Sequence, residues 1–230
     1  NPATVPMKIY TTLDPAIQDE LNIAGNTNTY NKWKNDDEQV AMSVINVNDG
    51  SISGIYGGRN QKGVQEFNRA TSESYQPGSS AKPIFDYGPA IEYNNASPGT
   101  YYLDEPMSYS NGQSIKNSDS RYLGMITMRV ALSRSRNIPA LQAFQSVDKD
   151  KIASFVNSLG INYGDTLYES ASIGSFDTVS ALQMSAAYAT FARGGYYIEP
   201  YTFTKIEFID SGEEYENKYK KEKVMSDSTA

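Results

Sequence analysis

The 230-residue chain contains neither histidine nor cysteine, and this double absence narrows both how it can fold and what chemistry it can perform. Without cysteine no disulfide can brace the structure, so stability has to come from a packed core. Thiolate nucleophiles and thiolate metal sites are excluded for the same reason. Without imidazole a Ser-His-Asp triad cannot be assembled. An apolar share of 39% and an aromatic share of 12% suffice for one large domain or two small ones and argue against global disorder.

The formal charge is −7, from 27 acidic and 20 basic residues. That balance speaks against nucleic acid as a partner, because phosphate backbones call for clustered Lys and Arg. No apolar run approaches the roughly 20 residues of a membrane span, so the chain by itself is expected to be soluble.

Hydrophobic periodicity and punctuation predict a mixture of strands and helices. Residues 7–13 read as a β-rich stretch, and Asp14-Pro15 as the cap and first position of a helix to about Ala24. Residues 40–47 and 52–56 flank Asn48-Asp49-Gly50, a strong local signal for an antiparallel hairpin. A helix is expected from Ser79 to about Tyr93, buried through Phe85, Tyr87, Pro89 and Ala90, with Pro89 kinking it or weakening its first half. Residues 96–120 read as a long connection and 126–132 as a helix. Further helices are expected from Pro139 and over 150–159. A last one, over 179–193, is expected to be capped by Asp177-Thr178. Residues 196–208 are β-like and 210–223 form a solvated charge run.

Within this pattern lies Pro77-Gly78-Ser79-Ser80-Ala81-Lys82-Pro83. A serine with a lysine three residues on is one of few ways to build an acylating nucleophile without histidine. At a helix N-terminus the two share a face, and the backbone dipole favours a developing alkoxide. The lysine has to be neutral to accept a proton, which requires desolvation or cationic neighbours. The bare pattern is not specific: Ser146-Val147-Asp148-Lys149 repeats it in a charged stretch, expected to be surface helix. Ser135-Arg136-Asn137 adds a hydroxyl able to relay a proton and an amide able to hold both a lysine and a substrate carbonyl. A turn or cap would explain the same residues.

Three segments together resemble the transpeptidase domain of class A, bifunctional penicillin-binding proteins, a Ser-x-x-Lys family. They are Gln76 to Pro83, Tyr87-Gly88-Pro89-Ala90-Ile91-Glu92, and Ser133 to Ala140. The likeness continues at residues 8–14, 44–50 and 185–195. It implies an α/β (α+β) fold, an antiparallel sheet packed between helices as in penicillin-binding proteins and serine β-lactamases. Residues 1–39 would be linker or domain start and 40–230 the N-terminal part of the transpeptidase domain. It further implies an enzyme at the extracytoplasmic face of the bacterial membrane that cross-links peptidoglycan stem peptides through a Ser79 acyl-enzyme and is inhibited by β-lactams. By likeness Lys82 is the base, Ser135 the proton relay and Asn137 the positioning amide; Ser79, Ser135 and Asn137 also contact substrate. The parent protein would be membrane-anchored with a preceding glycosyltransferase domain. The family's third motif, Lys-Thr/Ser-Gly, has no match here, which implies a companion polypeptide carrying the rest of the domain. Rival readings on the same fold are a β-lactam-sensing domain, and a D,D-carboxypeptidase or β-lactamase. The Glu-x-x-Leu-Asn pattern of a deacylating base is absent, and Glu169 stands in no such context.

Overall fold

The computed structural model describes residues 5–63, 66–72, 75–176 and 179–230. These form two compact units, Asn1–Glu73 with Ser180–Lys223 and Ser74–Val179 with Val224–Ala230. Every strand pair within a described sheet is antiparallel.

In the first unit, strand β1 (Met7–Thr11) pairs with β9 (Phe203–Phe208), and β10 (Glu214–Glu216) lies on the other edge of β9. Met7–Thr11, within the stretch expected to be β-rich, are thus built into a sheet. Asp14 caps α1 (Pro15–Asn26) by accepting from the Ala16 and Ile17 N–H groups, with Pro15 in the first turn where its missing N–H costs nothing. The hairpin of β2 (Met42–Ile45) and β3 (Ile52–Tyr56) forms as its Asp-Gly turn predicts, with Gly50 at φ 79°. α1 packs on β3, where Gly54 leaves room: a Cβ there would sit 2.8 Å from Ile17.

Helix α7 (Ala181–Ala192) packs on β2, and Ser43 and Ser185 share a hydroxyl hydrogen bond of 2.7 Å between them. Its cap is Ser180, in a reciprocal box with Gln183. The expected cap, Asp177-Thr178, lies outside the described residues. α2 (Arg69–Ser72) also contacts α7, and β8 (Tyr196–Ile198) pairs with β11 (Lys221–Lys223). The expected β run over 196–208 is therefore broken, at Pro200. The charge run over 210–223 is largely exposed, but it contributes two short strands.

The second unit is built around α5 (Asn137–Gln145), whose Ile138, Ala140, Leu141, Ala143 and Phe144 are wholly buried. Around it lie α3 (Gly88–Asn94), α4 (Met128–Ser133) and β4 (Tyr101–Asp104). The connection expected over 96–120 contains β4, β5 (Met107–Ser108) and β6 (Ser114–Ile115); β4 pairs with β7 (Gly124–Thr127). Ile126 and Thr127, expected to be helical, close that strand, as β-branched residues prefer, and Thr127 then caps α4. Ser146–Lys149 is not surface helix. It bridges the end of α5 and the start of α6 (Lys149–Ser158), with Ser146, Asp148 and Lys149 exposed.

Among the described residues no helix is long and apolar enough to cross a membrane, and no group of three or more Asp or Glu is placed to hold a metal ion.

Candidate active site

The run from Gly78 to Asn94 changes helical type twice. It begins as a 3-10 turn over Gly78–Ala81, widens to a π turn over Pro83–Tyr87, and becomes α-helical only at α3. Prolines at 83 and 89 remove two of the N–H groups a regular α-helix would use, which accounts for the non-α first half. The Gly88 N–H reaches back to the Pro83 carbonyl, closing the wider turn.

The 3-10 turn carries Ser79. It is pinned by the Gly78 N–H donating to the Gly174 carbonyl at 3.3 Å, at the end of a second 3-10 turn (Glu169–Ile173). Gly174, at φ 71°, has to be glycine, because a Cβ would overlap the Gly78 backbone. Ser79 is exposed, and among the described residues its hydroxyl makes no hydrogen bond. The neighbouring Ser80 hydroxyl instead donates to the Pro77 carbonyl at 2.6 Å. In a 3-10 turn residues i and i+3 eclipse, and the Lys82 N–H donates to the Ser79 carbonyl.

Lys82 turns inward and is fully buried. Its amine donates to the Ser135 carbonyl (2.7 Å), the Ser135 Oγ (3.1 Å) and the Asn137 Oδ1 (2.8 Å). Burial lowers its pKa to about 8; Asp86 pushes the other way and Arg136 adds to the lowering. A free amine is therefore within reach near neutral pH, as a general base requires.

Ser135 owes its place to the way α4 ends. Its N–H donates to the Leu132 carbonyl and the Arg136 N–H to the Ala131 carbonyl, the pair of bonds of a Schellman motif. Ser135 occupies the left-handed position, φ 52°, where glycine is the usual residue. A serine there costs about 1–2 kcal/mol, and its hydroxyl is the group a glycine could not offer to Lys82.

Asn137 opens α5. Its Nδ2 donates to the Lys116 carbonyl (2.8 Å), which aims Oδ1 at the lysine, and its backbone N–H donates to Asn117 Oδ1 (2.7 Å). Between these residues Arg136 points into the protein, 5% exposed, and pairs with the fully buried Asp104 at 2.8 Å and with Asp119 at 3.0 Å. Asp104 also accepts from Asn117 Nδ2 (2.7 Å) and the Leu123 N–H (3.0 Å). Hydrogen bonds from the Arg121 N–H and from Arg136 hold the Asp119 carboxyl below its ordinary value.

Of the four residues picked from sequence, Lys82, Ser135 and Asn137 are hydrogen-bonded together, and Ser79 stands one turn away, joined through its carbonyl. The scaffold of Asp104, Asn117 and Arg136 was not anticipated. The sequence carries no signal of it: Tyr101-Tyr102-Leu103-Asp104 shows no alternation of apolar and polar residues, and only the folded strand faces Asp104 inward. Two clefts, of about 370 and 360 Å³, meet at Tyr168, and neither is lined by these four residues.

The chain belongs to the family of penicillin-binding protein transpeptidase domains, which it matches over residues 40–230. It is 42% identical over its whole length to penicillin-binding protein 1A/1B of Bacillus subtilis, and 37% identical over 91% of its length to penicillin-binding protein 1A of Streptococcus oralis. It spans 25% and 34% of those proteins. The crystal structure of penicillin-binding protein 1A from Haemophilus influenzae covers 80% of the chain at 32% identity with a TM-score of 0.69, the chain spanning 28% of it. PonA1 of Mycobacterium tuberculosis, solved with penicillin V, covers 99% at 20% identity with a TM-score of 0.80, the chain spanning 62% of it, and shares the fold.

Proposed function

We propose that this domain is a D,D-transpeptidase that cross-links peptidoglycan stem peptides through an acyl-enzyme on Ser79. The observation that carries the reading is the buried Lys82 amine, held by Ser135 and Asn137 and brought near neutrality by desolvation. Free-base Lys82 takes the Ser79 hydroxyl proton as Oγ attacks the carbonyl before the terminal D-Ala. Ser135 passes a proton to the departing D-Ala amine, whose C–N bond breaks, leaving the ester. An amine from a second stem peptide then attacks that ester, its proton returns through the same groups, and Ser79 is released. Asn137 holds the lysine with Oδ1 and orients the substrate amide. The Ser79 N–H supplies half of an oxyanion hole.

The other half, and the clamp for the substrate carboxylate, belong in this family to the Lys-Thr/Ser-Gly strand. We assign that strand to polypeptide outside this sequence, which places residues 40–230 as the N-terminal part of the transpeptidase domain. A membrane-anchored parent, acting at the extracytoplasmic face behind a glycosyltransferase domain, fits the likeness to class A proteins.

β-Lactams would acylate the same serine. A β-lactamase would need a second base for fast deacylation. Glu169, the acidic residue on the turn beside Gly174, already accepts from the Ser110 N–H (2.7 Å), Ser110 Oγ (2.6 Å) and Gln145 (2.9 Å). Burial pushes its carboxyl up, but these bonds win and hold it below its usual value, so it is a poor proton acceptor. Labelling with a fluorescent penicillin tests the assignment: a long-lived adduct on Ser79 is expected. Rapid turnover would make the protein a β-lactamase instead, and no adduct in the complete protein would make the domain a scaffold.

A further inference from the structure

Among the described residues of the second unit, two carboxylates are fully buried, Asp104 and Asp86. Asp104 is bonded on both oxygens. Asp86 is not: among the described residues neither oxygen has a hydrogen-bond partner. It lies four residues after Lys82 in the π turn, a helical irregularity frequent at functional sites. The Lys82 amine makes its hydrogen bonds to Ser135 and Asn137 instead.

Among the described residues, the elements that pack most on this turn bring Asp86 no other buried charge. α5 contains no ionisable side chain. On α6, Lys149, Asp150 and Lys151 are exposed. On α3, Glu92 accepts from Ser226, and on the turn over Glu169–Ile173, Glu169 is taken by Ser110 and Gln145. Among the described residues the other groups that feel it are Tyr87, Tyr102 and Tyr109, all neutral at physiological pH, and there the Tyr87 hydroxyl is itself buried without a partner. Arg136 acts on Lys82, but its own side chain is paired with Asp104 and Asp119.

We propose that Asp86 is a positioning residue for the proton on Lys82: the two buried groups titrate as one coupled pair, and Asp86 governs when the lysine becomes a free amine. The inference rests on the reading of Lys82 as the base. A lone carboxylate in an apolar site is far costlier than a carboxylic acid. Asp86 is thus ionised most readily while Lys82 holds its proton, and an ionised Asp86 in turn makes Lys82 release its proton only at higher pH. Each influence runs both ways: burial drives Asp86 well up while Lys82 pulls it down, and Asp86 raises the Lys82 value that burial depresses.

The test is Asp86→Asn in the full-length protein, which keeps the shape and removes the charge. The titration of Lys82 is followed by NMR of its ¹³C-labelled ε-carbon, assigned by the signal lost in Lys82→Met. The midpoint is expected to move to lower pH, the acidity constant rising about tenfold or more, and the rising limb of penicillin acylation to move with it. An unmoved midpoint in a folded variant overturns the proposal, whatever happens to acylation. Should Asp86→Asn not fold, the infrared carboxyl band of Asp86 in Lys82→Met decides instead. Its titration is expected at higher pH than in the parent, and an unchanged titration rejects the coupling. If the parent protein is never acylated at Ser79, the enzymatic reading fails while the NMR result still judges the pair.

Discussion

The turn that carries Ser79 and the scaffold beneath Ser135 and Asn137 are built on opposite terms. Ser79 is exposed, and among the described residues its hydroxyl has no hydrogen-bond partner. Ser135 and Asn137 are held by a buried arginine, a buried aspartate and an asparagine that each make at least two bonds. The difference teaches where rigidity is needed. A nucleophile with no competing partner can hand its proton to the base as it attacks. The groups that receive and relay its proton have to be fixed in advance, since misplaced partners are costly to realign.

Breaking the scaffold should therefore hurt stability far more than removing the nucleophile. Asp104→Ala strands Arg136 and the Asn117 amide and is expected to cost about 3–5 kcal/mol in urea unfolding. Ser79→Ala, at an exposed position, is expected to stay within about 0.5 kcal/mol while abolishing acylation. Equal destabilisation by the two would dissolve the contrast.

Ser135 sharpens it at a smaller scale. Ser135→Ala and Ser135→Gly both lose the hydroxyl that Lys82 contacts, and both should slow acylation. Glycine alone relieves the left-handed backbone, so it should be the more stable of the two by about 1 kcal/mol. Identical stabilities would mean the α4 ending carries no strain.

The smallest effect is a pH trend. The folded-state value of Lys82, about 8, lies below its unfolded value near 10.5. The folded protein therefore binds fewer protons across that window, and the lysine's unfavourable contribution is relieved as pH rises through it. Measured against Lys82→Met, whose stability lacks this term, the parent should gain stability from about pH 8 upward. A difference independent of pH would show that the amine keeps an ordinary affinity for its proton.

What could be read from sequence was what local chemistry decides. Asp14-Pro15 starts α1 and Asp49-Gly50 turns the β2–β3 hairpin because cap and turn need no distant partner. β4 to β6 were illegible, being two to four residues long, with Tyr101–Asp104 finding its partner only at Gly124–Thr127. Lys82, Ser135 and Asn137 could be picked out as motif residues. The arginine between the last two gave no hint of being an anchor, because its partners lie at 104 and 119. Asp86 was equally hidden: an aspartate in an apolar helix reads as an ordinary surface residue until its burial is seen.

The most direct test of a lysine-activated Ser79 is the rate of penicillin acylation against pH in the parent and in Lys82→Met, with the adduct located by peptide mass. The parent rate should climb toward a midpoint near pH 8, where the amine loses its proton, with the label on Ser79 and almost none in Lys82→Met. Labelling of Lys82→Met at the parent rate, or an adduct on any other residue, would contradict it.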